Sequence, residues 1–237
     1  MFREDYIIYN RSLENFFIDL SSFLIILTIL FIIFLKGKIN KKMLIFFGLY
    51  SLTPFIFNDI LIDSSNLWDQ YTNTFFTLEA RNIFLDVNQY ISYTDFGHYN
   101  EKQRKILLLS NYYAILPFIS YSSINTIAFA NKLILILTSI YLLNKNYIKK
   151  SDLFFILLFP ATIIYSSLSL KAILICVLLI WSLILFFEKK YFLFLIVFFI
   201  SFYLRVPFFG FVAIFILYFI VLSGVEKIKY SFLLLNF

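Results

Sequence analysis

The chain has 237 residues, of which 62% are hydrophobic and 14% charged, with a mean hydropathy of +0.88. That composition excludes a soluble globular domain, and because the apolar residues fall in blocks near bilayer-spanning length it predicts an all-α, polytopic transmembrane helical bundle. The formal charge of +6 would suit a nucleic-acid surface, but most of the basic residues sit in short loops between apolar blocks, so topology accounts for them and no nucleic-acid partner is expected.

The first apolar run follows a mixed-charge stretch (Arg3, Glu4, Asp5, Arg11, Glu14) and has no small-residue cleavage pattern behind it, so it reads as a retained span and not a signal peptide. Spans are expected at about 16–35, 43–62, 124–143, 153–168, 171–187, 191–206 and 208–223, about seven in one integral membrane domain over 1–237. Between the second and third lies a long loop, 63–123, carrying Asp63, Asp69, Glu79, Asp86, Asp95 and Glu101. Within it, 106–120 is apolar enough for a re-entrant or interfacial helix; the alternative makes it a full span and inverts part of the amino-terminal half.

Two later runs are too long to be single spans. As one helix, 153–187 would extend about 52 Å against a hydrocarbon core of about 30 Å, so it must turn, and Tyr165-Ser166-Ser167-Leu168-Ser169 is where polar groups allow it. The run 191–222 turns at Arg205-Val206-Pro207, because proline interrupts helical hydrogen bonding. The chain stops at 230–237 just as another apolar segment begins, as is expected of either a fragment or a degenerate relative of a longer protein.

Basic clusters at Lys36, Lys38, Lys41 and Lys42, at Lys145, Lys149 and Lys150, at Lys189 and Lys190, and at Lys227 and Lys229 all fall on one face of this arrangement. The positive-inside rule makes that face cytoplasmic and places the amino terminus and the loop 63–123 outside. The ionisable residues within spans are then Asp19, Asp59, Lys132, Lys171 and Arg205, all in the outer half. Lysine and arginine near helix ends can snorkel to the interface. Lys132, roughly 12 Å below the outer boundary, must instead face the bundle interior or a wet cavity, or pair with an acid such as Asp19 or Asp59.

Lys132, Lys171 and Arg205 together suit an anionic headgroup, since arginine offers phosphate a planar fork and lysine a compact point charge. A carboxylate among Asp59, Asp63 and Asp69, which follow the second span and can fold back over such a cavity, would take a proton from an attacking hydroxyl while the cations neutralise a departing phosphate. His98 is the only histidine and Cys176 the only cysteine, so no metal-ligand spacing exists; Cys176 reads as a small buried hydrophobe. Five glycines exclude a glycine-rich phosphate loop, and no cofactor is called for. Pairings such as Asn125-Thr126 are what this composition yields by chance.

Pro160, Tyr165, Ser166, Ser167 and Lys171, followed one hairpin later by Leu204 and Arg205, form a pattern of a proline-containing turn, a hydroxyl cluster, a helix-opening cation and a Leu-Arg corner. Over 153–215 the chain resembles bacterial O-antigen and capsular oligosaccharide polymerase-like membrane proteins, which merge in pattern with the C-type glycosyltransferases that use polyprenyl-linked donors. Ala172 stands where that pattern has an acid, and Val206 displaces the proline to Pro207. The resemblance implies a multi-pass inner-membrane protein that transfers or polymerises sugars from polyprenyl-phosphate-linked donors at the outer face, with membrane lipids and polysaccharide-assembly proteins as partners. The rival readings are a transporter or flippase for an anionic lipid or solute, and a non-catalytic membrane subunit of a polysaccharide complex.

Overall fold

Apolar runs free of glycine and proline give the two longest helices of the computed structural model, which describes residues 13–61, 110–120 and 123–204 together with Thr74 and Thr77. They are α1 (Leu13–Leu35) and α3 (Ile124–Asn144); between them in sequence lie α2 (Lys41–Tyr50) and a π-helix (Phe55–Leu61). Then come α4 (Lys150–Leu158), α5 (Pro160–Ser167), α6 (Ala172–Phe187) and α7 (Tyr191–Leu204), with no strand among the described residues. The chain divides into two compact units, Met1–Leu174 and Ile175–Phe237.

In the first unit α3 is the central helix: 72% of its most apolar window is buried, against 22% for α1. It packs on α1 and on α5, while α1 also meets α2, and α5 meets α4 and the π-helix. The outward side of α1 carries exposed Phe16, Phe17, Leu24 and Phe31. So much exposed apolar surface on one long helix is expected where the surrounding medium is lipid.

The turns after α1, α3 and α6 share one design. Gly37, Asn146 and Lys189 each take a left-handed conformation, with φ of 68°, 59° and 59°. In each the N–H of the next residue reaches back five positions: Lys38 to Ile33, Tyr147 to Leu142, Lys190 to Leu185. This Schellman closure satisfies helix-end carbonyls in a short loop, and the lysines placed there complement the negative end of the helix dipole. In the second unit, the turn between α6 and α7 is lined by Phe186 against Phe194 at 5.4 Å between ring centres, with Lys190 paired to Glu188 on the surface.

The all-helical membrane class stands, but seven spans do not. Among the described residues only Asn15–Leu35 and Ile124–Asn144 are long and apolar enough to cross a bilayer, and Lys150–Leu158 with Pro160–Ser167 adds a third if the bent pair is one span. The expected span 43–62 is broken because Pro54 supplies no N–H, and the hydroxyls of Ser51 and Thr53 bond the Phe47 and Tyr50 carbonyls at 2.7 and 3.0 Å. The expected span 153–168 bends by 64° at Phe159, which proline forces out of the helical region (ψ 128°). The helices α6 and α7 are apolar but of only 16 and 14 residues. The expected span 208–223 and most of the loop 63–123 lie outside the described residues, as do His98, Asp63, Asp69 and Arg205.

Within 110–120 the helix stops at Ala114 and continues as irregular chain, so the expected helix over 106–120 is cut short at its end. Tyr113 and Phe118 are nonetheless buried. Cys176 is exposed on α6, not buried as expected. In a membrane helix the lipid-facing stripe is as apolar as the packed one, so hydropathy does not say which side is inside.

Gly48 brings α2 against α1: an added Cβ would meet Leu27 Cδ2 at 3.4 Å. Gly48→Ala should therefore be close to neutral, whereas Gly48→Leu should lower stability by about 1–3 kcal/mol through overpacking. Thermal unfolding of the purified protein in detergent reads the difference, and equal melting temperatures for the two variants would contradict this packing.

Candidate functional site

A polar side chain carried into an apolar bundle must be satisfied by another part of the bundle, and here the partners converge on the end of α5. Ser166 and Ser167 are fully buried, and their hydroxyls turn back to their own helix, Ser166 to the Thr162 carbonyl at 2.5 Å and Ser167 to Ile163 at 2.6 Å. With the Ser166 proton so engaged, its oxygen accepts from Lys132 Nζ of α3 at 2.6 Å and from the Tyr50 hydroxyl of α2 at 3.0 Å. Lys132 also lies 3.7 Å from the centre of the Tyr50 ring. It is fully buried in the bundle interior, with a hydroxyl and an aromatic ring as partners and no described carboxylate.

One residue on, Thr53 meets the Ser167 hydroxyl at 2.7 Å. Asn58, on the π-helix, divides its amide hydrogens between the Ser167 carbonyl at 2.9 Å and Asn125 Oδ1 at 2.7 Å. Asn125 in turn donates to the Asp19 carboxylate of α1 at 2.8 Å. Asp19, named from sequence as a counter-ion for Lys132, thus receives Asn125. Donation runs in one direction, from Asn58 through Asn125 to Asp19, and ties the π-helix, α3 and α1 together. Asn58 Oδ1 and Thr126 Oγ1 are buried without a hydrogen-bond partner.

The third strand of this joint is Asn131, also fully buried. Its amide donates to the carbonyls of Leu168 at 3.0 Å and Leu170 at 2.8 Å, and its oxygen accepts from the Tyr113 hydroxyl at 2.7 Å. Ser169 bonds the Ile124 carbonyl. The chain between α5 and α6 is therefore held by α3 at three consecutive residues, Leu168, Ser169 and Leu170, up to the position before Lys171, which is half-buried. The expected corner at 165–169 falls here, and side chains of α3 satisfy the carbonyls it exposes.

Of the residues singled out from sequence, Lys132 and Lys171 flank this joint. Asp59 adjoins it through the backbone, because its neighbour Asn58 is bonded to Ser167, four positions before Lys171. Asp59 is described as backbone only; Asp63, Asp69 and Arg205 fall outside the described residues. Sequence reading missed Tyr50, Asn58, Tyr113, Asn125 and Asn131. The available signal was three asparagines inside apolar helical segments, where an amide without a partner is costly. No metal-binding group of three or more His, Cys, Asp or Glu residues occurs among the described residues.

Chemically, the joint is a hydrogen-bonded platform. Its serine hydroxyls face inward and are occupied, so they do not offer themselves to a ligand; Lys171, half-buried, follows directly on the turn they stabilise. No protein-family model, curated protein or solved structure matches the chain.

Lys132→Met keeps the side chain's length and removes the amine, yet leaves Ser166 bonded to Thr162 and Tyr50 free to donate to Ser166. We expect stability within about 1 kcal/mol of wild type. Ser166→Ala removes the acceptor for a buried amine and should cost about 1–3 kcal/mol. Thermal melts of both proteins in detergent check the order; a Lys132→Met protein less stable than Ser166→Ala would contradict it.

Proposed function

We propose that the protein is a multi-pass inner-membrane protein that binds polyprenyl-phosphate-linked sugars at the outer face and transfers or polymerises them in surface polysaccharide synthesis. The observation that carries this reading is the joint itself. Hydrogen bonds from Asn58 and Asn131 gather onto one turn the backbone leading to Lys171, the helix bearing Lys132 and the residue before Asp59. A cation on this turn and a carboxylate on the π-helix bonded to it are the parts needed to hold a departing phosphate and to take a proton from an attacking hydroxyl. Lys171, half-buried at the end of the turn, is the phosphate contact; Arg205 is a second, assigned from sequence. Lys132, fully buried beneath Tyr50 and Ser166, acts by holding the turn.

The complete burial of Lys132 favours a second reading, a non-catalytic membrane subunit of a polysaccharide complex. Its polar network would then serve assembly alone.

Lys171→Ala and Arg205→Ala should each shorten or abolish the surface polysaccharide ladder in the native host at normal protein level, and Asp59→Asn should do the same. Lys132→Met, expected to fold, should reduce it less than Lys171→Ala does. An unchanged ladder in all of the Lys171, Arg205 and Asp59 variants would refute the enzymatic reading. Loss of co-purification with a polymerase in the same variants would support the subunit.

A further inference from the structure

At the opposite end of α3 from the joint, about 20 Å away along the helix, an open cleft of about 720 Å³ lies between the α1–α2 turn and the α3–α4 turn. Its volume falls within the roughly 300–1,000 Å³ usual for small-molecule sites. Lys38 comes from one turn, Lys149 and Lys150 from the other, and no described acid lines it. Two of the basic clusters, a hundred residues apart in sequence, thus meet at one cavity.

The floor differs from the rim. Ile39, Met43 and Ile140 line it and are nearly fully buried, so the cleft is cationic at its mouth and apolar beneath. The two helices that enter this end treat their first turns differently. On α2 the Asn40 side chain accepts from the Met43 N–H at 2.9 Å and closes that terminus. On α4 the cap residue is Lys149, which makes no side-chain cap, and the first N–H groups of α4 stand beside two lysines at the cleft; Asp152 of the same turn accepts from Ser151 at 3.0 Å and does not line the cleft. Unsatisfied N–H groups at a helix start favour an anion.

We propose that this cleft binds the phosphodiester headgroup of an anionic phospholipid on the lysine-rich face of the membrane. The lysines and the α4 terminus take the phosphate, and the apolar floor takes the glycerol and upper acyl region. A free phosphate would match the rim alone. The lipid matches both parts, and the cleft sits at the ends of α1 and α3, the two helices long enough to cross a bilayer, where a headgroup would lie. The site is distinct from the joint and does not depend on what the joint does.

The test is a titration of purified full-length protein, in zwitterionic nanodiscs, with phosphatidylglycerol, read by native mass spectrometry. The variant K38Q/K149Q/K150Q empties the cleft of charge; K41Q/K42Q/K145Q removes as many lysines from the start of α2 and the end of α3, beside the cleft but not lining it. We expect the first to weaken phosphatidylglycerol binding by about tenfold or more and the second by no more than about twofold, with phosphatidylcholine binding unchanged in both. Equal losses in the two variants would show diffuse surface attraction and overturn the site. So would no preference of the wild-type protein for phosphatidylglycerol over phosphatidylcholine. Complete displacement of the lipid by inorganic phosphate at about 10 mM would assign the cleft to a free anion and overturn the lipid assignment.

Discussion

Within an apolar bundle every hydrogen-bonding group must find its partner in the protein, and the first unit of this chain depends on how that demand is met at Ser166 and Ser167. The helix α5 ends there, and a helix end exposes carbonyls that water would otherwise satisfy. Asn131 and Asn58 supply the missing donors from α3 and the π-helix, while Lys132 and Tyr50 converge on the Ser166 oxygen. One turn is thereby bonded to α2, α3 and the π-helix, and through Asn125 and Asp19 to α1. The apolar contacts around it are non-directional; these bonds fix which residue faces which.

The same demand explains the broken second element. Pro54 and the back-bonding of Ser51 and Thr53 interrupt the run after α2, and the chain resumes as a π-helix. That wider turn carries Asn58, which reaches both Asn125 and the Ser167 carbonyl. A π-helix is an uncommon conformation, often found at functional sites, and here its cost is offset by two buried hydrogen bonds. Asp59 follows directly, which is why the proposed chemistry places a carboxylate near Lys171.

The two ends of the unit have different characters. At the end holding the joint, the buried polar side chains bond largely to one another and to the turn. At the other end the turns after α1 and α3 are left-handed Schellman turns rich in lysine, and Lys38, Lys149 and Lys150 line the cleft between them. A chain with this asymmetry offers its fixed positive charge to an anionic surface on one side and spends its amides on internal order on the other.

How much of this was legible depended on the kind of residue. Hydropathy placed α1 and α3 to within a few residues, and the overlong run at 153–187 demanded a corner that does fall at Ser167–Leu170. Charge was legible too, since a lysine at position 132 had to be turned inward. The extra bend at Phe159, the break at Ser51–Pro54 and the exposure of Cys176 were not, because window-averaged hydropathy reads neither a proline's effect on its neighbour nor which apolar stripe faces lipid. Asn125 looked like a chance product of composition, yet it links Asp19 to Asn58. The sequence by itself determined the medium and the longest helices, because the energy of apolar transfer is additive along a segment. Which amide meets which carbonyl was decided only by the tertiary structure, because a hydrogen bond depends on the distance and direction between groups that are 37, 39 and 109 residues apart in the chain.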